Sequence, residues 1–179
     1  MKLLLHICCG PCAVYPVDVL QKENIDFEGV FFNPNIHPIE EFIKRRDNAK
    51  ILSDIKNFPI TVSDQFQETD WLGFTGTSEE RCNMCYSLRL ERVARMAKEK
   101  GFDAFTTTLL VSPYQKHELI KELGEKMGTT YGIDFYYRDL REGFRQGQQQ
   151  ARELGLYRQK YCGCIISRRE TPVKSKGSK

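Results

Sequence analysis

No stretch of these 179 residues approaches the roughly 20 consecutive apolar residues that cross a bilayer, so no membrane-spanning segment is expected. The opening Met1-Lys2-Leu3-Leu4-Leu5 is cut short by His6 and followed at once by cysteines. It reads as a buried first strand rather than an export signal, and a cytoplasmic location is expected. Internal repeats and long linkers are missing too, and low complexity is confined to the last few residues. Composition excludes a disordered chain, since 40% hydrophobic and 28% charged residues are the proportions of a soluble globular protein. This length builds one well-buried core and falls short of two ordinary domains. A single α/β domain is expected over residues 1–170, with a flexible basic tail over 171–179.

What is present is unevenly placed. The net charge is +3, yet residues 141–179 hold ten Lys and Arg against three Glu, leaving 17 basic and 21 acidic residues for the rest. A basic C-terminal segment on a mildly acidic body suits a phosphate backbone, because Lys and Arg release counterions when they neutralise phosphates. Seven cysteines are too many for a reduced compartment unless they bind metal or do redox work. They fall in three groups: Cys8, Cys9 and Cys12, then Cys82-x-x-Cys85, then Cys162 and Cys164 around Gly163. Inert buried thiols or structural disulfides do not account for clustering in three short Gly- or Pro-containing contexts.

Apolar and amphipathic patches alternate as strand, helix, strand, helix. Residues 2–7 form a strand running into Cys8-Cys9-Gly10-Pro11-Cys12, and a helix follows over about 13–22. Further strands fall at 28–32, 58–62, 104–111 and 134–137, with helices near 116–127 and 142–154. Pro38 opens a helix with Ile39, Phe42 and Ile43 on its buried face and Lys44, Arg45 and Arg46 crossing to the polar side. Thr77-x-x-Glu80 is a capping box for a helix reaching Lys100, where Gly101 stops it. Tyr86, Leu90, Val93 and Ala97 share its inner face, with Cys82 on that side and Cys85 at its flank. Both sulfurs lie near the positive end of the helix dipole, which favours thiolates. This order demands right-handed crossovers, hence a Rossmann-like open parallel sheet of about five strands with an additional helical C-terminal part. Ligands collect at the carboxyl ends of such strands, where Cys8 and Cys9 fall and where the helix bearing Cys82 and Cys85 is expected to bring its amino end.

Four thiolates from two separated pairs satisfy a 4Fe-4S cluster, and zinc accepts the same set. Adjacent Cys8-Cys9 is unusual for a zinc knuckle, which favours iron and sulfide; spacing alone leaves Cys9, Cys12, Cys82 and Cys85 open as the ligand set. Cys162-Gly163-Cys164 is too tight for a relaxed disulfide. Two readings follow: a dithiol exchanging electrons with the cluster, or ligands, together with Cys12, for a second metal. Tyr114, His117, Asp139 and Tyr161 are candidate proton donors, and Arg138, Arg141 and Arg145 candidate phosphate contacts. His6 reads as a satisfied core histidine. The slot after the first strand holds one glycine and a proline where a pyrophosphate-cradling loop needs several free N–H groups, which argues against ATP turnover.

Five blocks, in order, resemble the QueH type of epoxyqueuosine reductase. They are His6-Ile7-Cys8-Cys9-Gly10-Pro11-Cys12, Phe32-Asn33-Pro34-Asn35-Ile36-His37-Pro38, Arg81-Cys82-Asn83-Met84-Cys85-Tyr86, Phe105-Thr106-Thr107-Thr108-Leu109-Leu110-Val111-Ser112-Pro113-Tyr114-Gln115 and Tyr157-Arg158-Gln159-Lys160-Tyr161-Cys162-Gly163-Cys164. The resemblance runs from about Lys2 to Arg168. It implies a fold like that of the adenine-nucleotide alpha hydrolases, and reductive removal of the epoxide oxygen from epoxyqueuosine at the tRNA wobble position, giving queuosine and water for two electrons and two protons. It further implies Cys8, Cys9, Cys82 and Cys85 as 4Fe-4S ligands and Cys162 with Cys164 as a redox-active pair. The implied partners are a tRNA carrying epoxyqueuosine and an electron donor that the sequence does not identify. On this reading an iron polarises the epoxide oxygen and Tyr161 or Asp139 delivers a proton, with a second, mononuclear iron on Cys12, Cys162 and Cys164 as the alternative to a dithiol store. A zinc-stabilised tRNA-binding module without catalysis is the non-enzymatic alternative.

Overall fold

The computed structural model describes residues 1–171 and contains one sheet of five parallel strands in the order β3-β2-β1-β4-β5. These are β1 (Lys2–His6), β2 (Asp26–Phe31), β3 (Ile60–Val62), β4 (Ala104–Thr107) and β5 (Asp134–Phe135). The side chains of the first strand alternate between two cores. Leu3, Leu5 and Ile7 pack with Val14 and Val17 of α1 (Gly10–Lys22) and Phe42 and Leu52 of α2 (Ile39–Lys56). Leu4 packs oppositely, with Leu90 and Val93 of α4 (Ser78–Glu99) and Ile120 and Leu123 of α5 (His117–Tyr131). Both faces are covered, which is why the strand reads as an unbroken apolar run. Short α3 (Thr69–Leu72) packs on α7 (Ile165–Glu170), and α6 (Phe144–Glu153) lies on α1. No described helix is long and apolar enough to cross a membrane.

The expected fold class is therefore the observed one, and the capping box is present, with Glu80 N–H donating to Thr77 Oγ1 at 3.2 Å and Thr77 N–H to Glu80 Oε2 at 2.7 Å. Two expectations are corrected. The fourth strand stops at Thr107 instead of running to Val111, because Thr107 Oγ1 accepts the N–H of Leu109 and turns the chain into a 3-10 helix, Thr108–Val111. The face of α2 is also rotated: Phe42, Arg45, Ala49 and Leu52 are buried, while Ile39 and Ile43 are about 40% exposed. The basic tail expected at 171–179 lies, from residue 172 on, outside the described residues.

Candidate functional site

The connections of β1 and β4 leave in opposite directions from neighbouring strands, so a crevice opens beyond their carboxyl ends. Cys8 and Cys9 enter it from β1, and Thr108 enters it from β4. Thr108 Oγ1 accepts the N–H of Cys8 at 3.1 Å and faces Cys8 Sγ at 3.3 Å. The Sγ atoms of Cys8, Cys9 and Cys12 lie within 4.8 Å of one another, the single group of this kind among the described residues. Gln159, from the far end of the chain, donates through Nε2 to Cys9 Sγ at 3.0 Å and Cys12 Sγ at 3.4 Å. Hydrogen bonds from Cys12, Cys9 and Thr108 hold the Cys8 thiol well below its ordinary range. Cys12 is pushed up by the same contacts, and Cys9 by burial. The trio thus favours one thiolate held by two thiols. Such a soft, part-charged set could hold a metal ion.

The third group is positioned by two residues of the first half. Arg45 donates through Nη1 to the Cys162 carbonyl at 2.9 Å and through Nη2 to the Tyr161 carbonyl at 2.8 Å, while its Nε meets Glu41 at 2.8 Å. His37 accepts the Tyr161 hydroxyl on its carbonyl, donates its backbone N–H to the Gly163 carbonyl at 2.8 Å, and receives the Ile165 N–H on Nδ1 at 3.0 Å. That last contact fixes the proton of the neutral ring on Nε2, which donates to the Gln67 carbonyl. Gly163 has φ +141, a conformation side chains avoid, and a Cβ there would sit 3.1 Å from Arg45 Nη1. The two thiols share one proton: the hydrogen bond from Cys164 lowers exposed Cys162 to about 5, and Cys164 is raised by the thiolate beside it.

Cys85 is buried at the amino end of α4, packed with Trp71 and Cys164, while Cys82 is half-buried. This reverses the expected order of burial on that helix. Burial pushes both thiols up, so the helix dipole alone does not make them thiolates. Neither belongs to the tight group of Cys8, Cys9 and Cys12. All seven cysteines are free.

Two buried polar groups around these sulfurs are without ordinary partners. Arg89 is 4% exposed and pairs with no carboxylate among the described residues. Its Nε donates to the Cys85 carbonyl at 3.1 Å and its Nη2 to Cys85 Sγ at 3.3 Å, and its charge is felt at Cys8 and Cys162 as well. Trp71 Nε1, in a fully buried ring, donates to nothing among the described residues. A buried guanidinium needs compensating groups, and here they are the Cys85 carbonyl and thiol in contact and the charge-bearing Cys8 and Cys162 sulfurs farther off. The soft donor set, its buried cation and the orphaned indole N–H together fit a negatively charged metal–sulfur group.

A cleft of about 860 Å³ opens onto the first and last cysteine groups, with Cys8, Cys12 and Cys162 in its wall. The wall also carries Arg45, Arg145, Arg152, Arg158 and Lys160 and, among the described residues, no carboxylate. Tyr161 lines it, and burial pushes its phenol up to about 12. Asp139 does not line it; it forms a two-pronged pair with Arg141, at 2.9 and 2.6 Å, that holds its carboxyl down at about 2. His117 is turned to the Tyr137 hydroxyl at 2.9 Å, and His6 is bound by Thr107, Asn33 and the Phe32 carbonyl inside the core. Arg45, Arg89, Thr108, Gln159 and Trp71 were not singled out from sequence. For Arg89 the signal was its place four residues after Cys85, one helical turn away.

Fold and site together define a doubly wound α/β protein with a thiol-based, metal-competent centre at its switch point. Its family follows from comparison. The family described as Epoxyqueuosine reductase QueH matches residues 3–170, and the chain belongs to that family. It is 32% identical to the epoxyqueuosine reductase QueH of Thermotoga maritima, over 92% of this chain and 89% of that one. Against the protein of the same name from Dehalococcoides mccartyi the identity is 32%, over 94% and 93% of the two chains. Against that of Acinetobacter baylyi it is 33%, over 95% and 82%. Among solved structures, the zinc-inhibited form of teicoplanin deacetylase Orf2 superposes with a TM-score of 0.53 at 9% identity, covering 86% of this chain and 83% of that one, a likeness of fold alone.

Proposed function

We propose that this chain is an epoxyqueuosine reductase that converts epoxyqueuosine in tRNA to queuosine. One observation carries the reading. In a chain matched by the QueH family over residues 3–170, thiols from its first and last segments share a cleft lined, among the described residues, by five cations and no carboxylate. Cys8, Cys9, Cys82 and Cys85 are the residues that would hold a 4Fe-4S cluster, with Arg89 as the buried counter-charge. When bound, that group supplies electrons one at a time and Lewis acidity.

The residues of the chain supply the remainder. Removing the epoxide oxygen as water takes two electrons and two protons. Oxidation of the Cys162 and Cys164 pair, one thiolate and one thiol, to a disulfide releases two electrons and one proton; the second proton comes from another acid at the cleft and is replaced from solvent, and an external dithiol reductant restores the pair. Binding of a second iron by Cys12, Cys162 and Cys164 is the other use of the same sulfurs. Tyr161, whose phenol stays protonated at neutral pH, is the proton source that lines the cleft. Asp139, ionised and outside the cleft, is the weaker of the two candidates. The cationic wall draws in the anticodon loop, and the Arg45 and His37 contacts keep Cys162 and Cys164 in register with it.

Anaerobic purification tests the cofactor: brown protein with about four irons per chain is expected, and colourless zinc protein would overturn it. Nucleosides from the tRNA of a deletion strain test the substrate. Accumulated epoxyqueuosine is expected, and undiminished queuosine would remove the assignment.

A further inference from the structure

Tyr114 is 84% exposed, the most exposed of the large hydrophobic side chains among the described residues, and it stands in the wall of the thiol cleft. A single exposed ring is ordinary on a protein surface; what sets Tyr114 apart is that it stands in the wall of a cationic cleft. Phe144 meets it in a T-shaped contact at 5.6 Å and 79°, a geometry that holds the pair in place and leaves Tyr114 open to solvent. Phe144 is also the first residue of α6, whose two sides differ sharply. Gly147 and Ala151, spaced by four, are buried, and Gly147 lets the helix approach Tyr15 of α1 so closely that an added Cβ would lie 3.1 Å away. Phe144, Arg145, Gln148, Gln149 and Arg152 form the stripe that lines the cleft. The stripe carries amide and guanidinium groups and no acid.

We propose that Tyr114, braced by Phe144, is a stacking platform for an unpaired nucleobase of the anticodon loop, with the α6 stripe contacting the flanking phosphates and base edges. The inference rests on the proposed function, since it names how that site takes hold of RNA. Single-stranded nucleic acid is gripped by this combination, aromatic faces for bases inside a positive groove for the backbone, because every base offers a π face whatever its sequence. The cleft supplies charge complementarity through five cations, and the ring supplies a contact that salt does not screen. Tyr114 thus positions the loop, while chemistry stays with the cysteines.

The two parts are separable by their salt dependence. Binding of an anticodon stem-loop RNA to the anaerobically purified protein is measured from low to moderate salt, with 2-aminopurine placed in turn at each unpaired loop position. Tyr114→Ala is expected to weaken binding about 5- to 100-fold with the slope of log affinity against log salt unchanged, to abolish fluorescence quenching at one loop position, and to leave the melting temperature alone. Tyr114→Phe retains both affinity and quenching. Arg145→Gln reduces the slope by about 1 without changing the quenching. Wild-type and Tyr114→Ala proteins that bind the RNA equally well would overturn the platform and leave the reductase reading intact. Failure of the wild-type protein to bind the RNA at all would remove both.

Discussion

Arg89 carries a charge into the interior where, among the described residues, a backbone carbonyl and sulfur meet it and no carboxylate does, and this makes the residue a sensitive reporter of what the site holds. Replacing it by Met keeps the volume and removes the counter-charge. For the proposed iron-sulfur cluster, Arg89→Met is expected to lower the iron retained per chain, and to make the cluster that remains harder to reduce, because a nearby cation stabilises the more negative, reduced state. Iron analysis and a redox titration read the two effects separately, and an unchanged midpoint potential would dissociate Arg89 from the centre. Asp139 gives the opposite forecast. Its paired carboxyl, held at about 2, is already ionised at neutral pH, so Asp139→Asn is expected to leave turnover within about twofold and the pH profile in place. The pair's contribution to stability is present above the ordinary carboxylate range and is lost as pH falls toward 2; exposed and screened, it is small.

Among the elements, α2 has the greatest consequence for the last cysteines. Arg45→Leu strands buried Glu41 without its partner and leaves the Tyr161 and Cys162 carbonyls unmet. A loss of roughly 3–5 kcal/mol is expected in denaturant unfolding, and Arg45→Lys restores little of it because an ammonium lacks the planar fork that reaches three acceptors. Gly163→Ala imposes φ strain of roughly 1–3 kcal/mol and pushes on Arg45, so Cys162 is expected to react faster with an alkylating probe while the sheet stays folded. The helix itself shows where sequence is legible and where it is not. Apolar spacing located α2, but the periodicity of Ile39, Phe42 and Ile43 pointed to the wrong face, since a buried arginine with a matched glutamate resembles surface charge. Likewise the β-branched run after Ala104 reads as strand to its end, and only the Thr107 hydroxyl, a local side-chain contact, diverts it. The long α4 was legible in its capping box and in its inner face of Tyr86, Leu90, Val93 and Ala97, where local and tertiary preferences agree, and not in the burial order of Cys82 and Cys85 in its first turns. The cysteine groups were legible as groups; which sulfurs sit nearest one another depended on side-chain direction, which spacing does not encode.

At the scale of the molecule, the charge imbalance seen in the sequence becomes a place: part of the C-terminal excess of Lys and Arg is concentrated in one wall of the cleft. Neutralising Arg145, Arg152 and Arg158 together is expected to reduce the salt slope of tRNA binding by roughly 2 to 3, with little change in unfolding temperature because none of the three is deeply buried. The architecture also has a temporal side. Cys9 and the Gln159 that caps it are 150 residues apart, and the cleft is walled by both ends of the described chain. On the ribosome, the first thiols emerge long before the segment that supplies Gln159 and most of the cationic wall. A metal ion taken up by Cys8, Cys9 and Cys12 during synthesis would meet the trio before Gln159 is in place, and the order of the residues along the chain sets how long that interval lasts.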